Sequence, residues 1–127
     1  ENIHVRSIVG NFLEHSRIFF FLNDGEEELY MGSADWMPRN LDRRVEILFP
    51  MLDDTLKEKV KHILDVELAD NTKAHVLKPD GEYEKIDRRG KVLVNSQKQF
   101  CEEAVAAVPK TDHVYRERVF VPAEPAE

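Results

Sequence analysis

His15-Ser16-Arg17-Ile18-Phe19-Phe20-Phe21-Leu22-Asn23-Asp24-Gly25, then Leu29-Tyr30-Met31-Gly32-Ser33-Ala34-Asp35-Trp36, then Pro38-Arg39-Asn40-Leu41-Asp42-Arg43-Arg44-Val45-Glu46, is the stretch that decides the fold. Ile18 to Leu22 is an unbroken apolar run, which predicts a strand buried on both faces. Asn23-Asp24-Gly25 predicts a turn, because these residue types tolerate positive φ. Residues 28–33 then return as a second strand, antiparallel to the first and ending in Gly-Ser. A polar loop carrying Arg39, Arg43 and Arg44 follows directly.

Working outward, residues 3–9 alternate and are rich in β-branched types, so they predict a strand. Residues 10–14 are a short connector. Residues 45–49 predict a strand stopped by Pro50. Asp53 or Asp54 caps a helix to about Ala69, with Leu56, Val60, Ile63, Leu64 and Leu68 forming one apolar face. Residues 73–77 predict a short strand, Lys78-Pro79-Asp80-Gly81 a turn, and residues 83–86 an extended piece. Arg88-Arg89-Gly90-Lys91 is a basic loop. Asn95 or Ser96 caps a second helix to about Val108, with Phe100, Ala104, Ala107 and Val108 inward. Residues 109–127 predict a partly disordered extension. Strands first, then strand–helix–strand–helix, predict one α/β domain over residues 1–108, a mixed sheet covered by helices.

Composition narrows the function. The chain has 127 residues, enough for one domain with a modest core, and 42% of them are apolar. A formal net charge of −7 argues against nucleic acid as a partner, because an acidic surface repels phosphate backbones. A single cysteine, Cys101, excludes an internal disulfide and fits a reducing, cytoplasmic setting. No apolar run approaches the ~20 residues that cross a bilayer. The five histidines form no zinc motif, so no metal ligands are assigned. The first residue is Glu rather than Met, so the chain reads as a segment of something longer.

Side chains two apart on a strand share a face, so an extended segment would set His15 beside Arg17. An imidazole can act as nucleophile, acid or donor toward phosphate, and a guanidinium can clamp two of its oxygens. Ser33 can donate to a phosphate oxygen, Asp35 can orient the imidazole, and Gly32 would let a ligand approach the backbone. Arg39, Arg43 and Arg44 can neutralise a polyanion, and Arg88, Arg89 and Lys91 can extend that track. Taken singly these features are weak. A lone His near a strand is more often structural, and arginines interleaved with Asp42 and Glu46 equally make a solvated surface.

The ordered set is more specific. His15-Ser16-Arg17, an apolar strand and Gly32-Ser33-Ala34-Asp35 resemble the half-site motif of the phospholipase D superfamily, with Arg17 in place of its Lys and Leu22 in place of its Asp. Residues 7–17 and Ser33-Ala34-Asp35-Trp36-Met37-Pro38-Arg39-Asn40 through Glu46 resemble more closely the C-terminal domain of bacterial type 1 polyphosphate kinases, with Asn11 where that family has Arg. The resemblance implies reversible transfer of the terminal phosphate of ATP to polyphosphate through a phosphohistidine in a preceding domain. His15 would be the partner histidine and catalytic residue. Arg17, Ser33, Arg39 and Arg43 would contact ATP or phosphate, and Asp35 would orient. Mg2+ is implied as well, with ligands that this chain does not reveal. The implied partners are ATP, polyphosphate and the N-terminal part of the same polypeptide, in a cytoplasmic homo-oligomer at or near the inner membrane. Two other readings stay open: a single-motif phosphodiesterase or nuclease acting as a dimer, and a noncatalytic polyanion-binding module.

Overall fold

The computed structural model describes residues 2–108. The extension expected at 109–127 lies outside the described residues.

The strands form two separate three-stranded sheets. In the first sheet β2 (Ile18–Phe21) pairs with β3 (Glu28–Gly32), and β3 with β4 (Leu48–Pro50). In the second, β1 (Arg6–Ile8) pairs with β5 (Ala74–Leu77), and β5 with β6 (Tyr83–Lys85). Every pairing is antiparallel. The α/β class therefore holds, but the single mixed sheet expected is two antiparallel three-stranded sheets. The connector between β1 and β2 explains the break: residues 11–14 bond to the side chain of Gln97 instead of continuing a ladder.

The hairpin turn forms as read. Asn23, Asp24 and Gly25 take φ of 43°, 55° and 97°, the left-handed region these residues tolerate. The register pairs Phe19 with Tyr30 and Phe20 with Leu29. Directly opposed residues share a face. Ile18, Phe20, Leu29 and Met31 therefore lie on one side, and Phe19, Phe21, Tyr30 and Gly32 on the other.

α2 (Asp54–Ala69) covers the first of these faces, with Lys61 placing its ammonium 5.1 Å from the Phe20 ring centroid. Leu29, at 2% exposure, is the deepest apolar side chain there; such burial contributes roughly 1.5–3 kcal/mol. The opposite face is covered only in part, by Trp36 stacked on Phe19, and its Phe21 end is open among the described residues. Phe21 is 53% and Leu22 62% exposed, and with Phe19, Tyr30 and Leu48 they line an apolar groove of about 850 Å³. Double-sided burial of Ile18 to Leu22 is thus not what the chain shows.

Three further expectations shift. Pro38–Arg43, read as loop, forms a short helix, α1, with Pro38 in its first turn, where a missing N–H costs nothing. α2 buries Val60 and Val66 rather than one stripe, leaving Leu56 and Leu68 exposed. It is packed on two flanks: Lys61 reaches β2, while the next residue, His62, meets Glu103 of α3 (Ser96–Ala107) at 3.0 Å. In α3, Ala104, Ala107 and Val108 are exposed, and the buried residues are Ser96 and Gln97 in its first turn.

The caps form as expected. Asp53 accepts from Leu56 N at 2.9 Å, and Asn95 from Lys98 N at 3.1 Å.

Candidate functional site

His15 and Arg17 precede β2, and the ladder holds them in place. Gly32 N donates to Arg17 O at 2.9 Å, which brings the Gly-Ser segment against the His-x-Arg segment. The Arg17 guanidinium then closes on its neighbours. Nη1 donates to the His15 carbonyl, and Nη2 pairs with Asp35 and donates to His15 Nδ1 at 2.9 Å. A guanidinium has no acceptor, so Nδ1 must accept. The neutral imidazole therefore carries its proton on Nε2, and the His15 side chain is 58% exposed. Asp35 lies 3.7 Å from Nδ1, beyond hydrogen-bond range. Its link to the imidazole runs through Arg17.

Arg17 is 15% exposed, and both terminal nitrogens are engaged within the chain. Its geometry is that of a tautomer lock and a fixed positive charge, not of a free two-oxygen clamp.

Ser33 is built into the end of the sheet. Its N donates to Ile47 O at 3.0 Å, Ile47 N donates to its Oγ at 3.0 Å, and its hydroxyl donates to Glu46 at 2.5 Å. Glu46 is a site residue that sequence reading did not single out; its place as the last acid of the Arg-rich segment was the available signal. Gly32 does not open the backbone to a ligand. Leu48 and Phe19 stand 3.4 Å from where its Cβ would lie, so its small size serves sheet packing. Trp36 stacks on Phe19, with ring centroids 5.9 Å apart.

Arg39 and Arg43 sit four apart on α1 and so share a face. Both are exposed, as is Arg44. Among the described residues none of the three forms an ion pair, and none bonds to His15, Arg17 or Asp35. In the distant basic loop, Arg89 is already paired with Asp87 at 2.8 Å.

Among the described residues no three His, Cys, Asp or Glu side chains converge on a point that could hold a metal. The carboxylates of the site, Asp35 and Glu46, are engaged by Arg17 and Ser33.

Behind the His15 segment lies a cavity of about 500 Å³, lined in part by Arg6, Glu14, Ser16, Glu67 and Gln97. Burial, and then a hydrogen bond and charge repulsion from Glu14, push the Glu67 carboxyl up from 4.5 to about 7. Between those values the folded chain holds a proton that the unfolded chain releases, so stability falls as pH rises through that window. Glu67→Gln mimics the protonated form. It is expected to be more stable than the parent by about 1 kcal/mol near pH 8, because solvent screening at this half-exposed group cuts the full linkage value. The gap should close near pH 4. Denaturant melts at the two pH values check this; a gap independent of pH would show that no proton is shared there.

With this geometry in view, comparison with known proteins decides the family. Residues 1–97 match the family described as Polyphosphate kinase C-terminal domain 2. The chain belongs to this family. It is 48% identical over 113 residues to the polyphosphate kinase of Lactiplantibacillus plantarum, covering 89% of the chain and 16% of that protein. It is 52% identical over 108 residues to that of Pseudomonas aeruginosa, covering 84% of the chain and 16% of the relative. The crystal structure of polyphosphate kinase from Porphyromonas gingivalis superposes with a TM-score of 0.75 at 37% identity, over 83% of this chain and 16% of that one. The chain thus spans about a sixth of the length of these relatives. No helix among the described residues is long and apolar enough to cross a membrane.

Proposed function

We propose that this chain supplies one half of a polyphosphate kinase active site, completed by the N-terminal part of the same polypeptide. In this reading a histidine of that other half attacks the terminal phosphorus of ATP. The P–O bond to ADP breaks as the N–P bond forms. A terminal oxygen of polyphosphate then takes the phosphoryl group, and the N–P bond breaks. His15 faces the transferring group with Nε2–H, donating to its oxygens as charge develops. Arg17 holds the tautomer and adds fixed positive charge, Ser33 lines the approach, and Arg39 and Arg43 meet the polyanion. The observation that carries the reading is the locked imidazole: Nδ1 taken by Arg17, Arg17 paired with Asp35, and Nε2 left for substrate.

The exposed Phe21–Leu22 end of the β2–β3 aromatic face supports a packed partner. Contiguous exposed apolar surface of this kind marks an interaction site, and the family's length supplies a partner in the same polypeptide.

Arg17→Ala tests the role of the lock. It frees Nδ1 to take a proton and leaves Asp35 without its guanidinium. In the polypeptide that carries this chain, synthesis of polyphosphate from ATP is expected to fall about 10²-fold. The 127-residue chain alone is expected to be inactive. Hydrolysis of a generic phosphodiester by the purified chain would replace this reading with a dimeric phosphodiesterase. Polyphosphate binding without transfer in the whole polypeptide would replace it with a binding module.

A further inference from the structure

Gln97 touches none of the residues assigned above, yet it holds the segment that ends in His15. It is the second residue of α3, 9% exposed, and 85 or more residues away in sequence from the backbone it contacts. Its Oε1 accepts from Asn11 N at 2.7 Å and Phe12 N at 3.0 Å. Its Nε2 donates to Phe12 O at 2.8 Å and to Glu14 Oε1 at 2.5 Å. Two acceptor contacts and two donor contacts are the full capacity of a carboxamide.

The approach is close enough that a side chain at position 10 would have to displace the carboxamide. A Cβ there would come within 3.0 Å of the terminal atoms of Gln97. The platform beneath is itself rigid: Ser96 donates from N and Oγ to the buried Asp70, at 2.8 and 2.9 Å. On the far side Val9 N is tied to Lys73 O at 3.1 Å. The segment from Gly10 to Glu14 is therefore anchored at Val9 and clamped in its middle by Gln97, and it passes at His15 to the Arg17 contacts.

We propose that Gln97 is a positioning residue for His15, its carboxamide fixing the Asn11–Glu14 backbone and hence the place where the imidazole is presented. This rests on the functional reading above and adds to it a residue distant in sequence. An exposed imidazole on a free loop would sample many positions, and a displacement of about 1 Å can cost about 10²-fold in rate.

The test uses the full polyphosphate kinase polypeptide carrying this chain, with His15→Ala alongside. Gln97→Ala is expected to lower kcat for polyphosphate synthesis by about 30- to 100-fold, with KM for ATP changed less than about threefold. Hydrogen exchange should quicken at residues 11–15 while β3 and α2 keep their protection. Gly10→Ala should give the same loss, and Gly10→Ala with Gln97→Ala should be no worse than either alone, because the clash needs the carboxamide. Gln97→Glu keeps shape but sets a carboxylate against Phe12 O and Glu14, with Glu67 and Arg6 lining the same cavity; its rate should recover as pH is lowered and the new acid gains a proton. This last variant decides the matter if Gln97→Ala does not fold. Parental kcat in Gln97→Ala despite faster exchange at residues 11–15, or a Gln97→Glu rate whose pH profile matches the parent, overturns the inference. Full activity in His15→Ala would instead overturn the functional reading beneath it.

Discussion

His15→Ala is expected to lower polyphosphate synthesis from ATP by about 10³-fold or more in the polypeptide that carries this chain, while its melting temperature stays within a few degrees of the parent. The size follows from what the imidazole supplies. A positioned donor or acid at a transferring phosphoryl group contributes typically about 10²–10⁴-fold, and Nε2–H is the group the Arg17 contact leaves for that task. Stability should hold because the side chain is 58% exposed and its described polar partners are Arg17 and Asp35, which remain paired without it. Steady-state synthesis and a thermal melt on the same preparation separate the two effects. Near-parental synthesis would remove His15 from the chemistry. A collapse of both activity and melting temperature would make its role structural.

The largest effect on stability is expected at a residue outside the site. Asp70 follows α2 directly and is 0% exposed. Its Oδ1 accepts from Thr72 N at 2.9 Å and Lys73 N at 2.8 Å, and its Oδ2 from Ser96 N and Oγ. One carboxylate thus joins α2, the start of β5 and the first turn of α3. Burial alone would raise its pKa, but the N–H groups of Lys73 and Ser96, the Ser96 hydroxyl and the Thr72 N–H outweigh it and hold the group below the ordinary 3.8.

Asp70→Ala strands those donors in the interior at about 1–3 kcal/mol for each unsatisfied group. Partial rehydration reduces the sum, and a loss of about 3–5 kcal/mol is expected, lowering Tm by roughly 15 °C or more. The pH dependence has a definite sign. A depressed carboxylate contributes stability that is full above its unfolded value and is lost as pH falls through its folded one. The parent should therefore lose stability as acid is added below about pH 4, and Asp70→Asn should lack that component. Chemical denaturation at several pH values measures both; a loss under about 1 kcal/mol in Asp70→Ala would show that the three elements are held by other contacts.

Most of what was legible in the sequence is local. The Asn23-Asp24-Gly25 turn, both N-caps and the order of the strands and the two long helices follow from short-range preferences, and the structure has them. Pro38–Arg43 reads as a polar loop from its arginines, although a proline at its start suits a helix's first turn. The misplaced burial in β2, α2 and α3 has one cause: periodicity shows that a face is apolar, not whether anything covers it. In the site, His15, Arg17 and Asp35 are brought together, because a strand, a tight turn and a return strand carry them there. The long-range polar contacts were not legible. Gln97 on residues 11–14, Asp70 on Ser96, Glu67 on Glu14 and Ser33 on Glu46 join residues that share no spacing rule. Such residues look like ordinary surface composition until the fold buries them.

The most direct test is the position of an anion. A crystal of the polypeptide carrying this chain, grown with tripolyphosphate, should show a phosphoryl group within hydrogen-bond reach of His15 Nε2 and beside the Gly32-Ser33 segment, with the rest of the polymer running toward Arg39 and Arg43. Polyphosphate held instead along Arg88, Arg89 and Lys91, with the imidazole contacting no anion, would contradict the account.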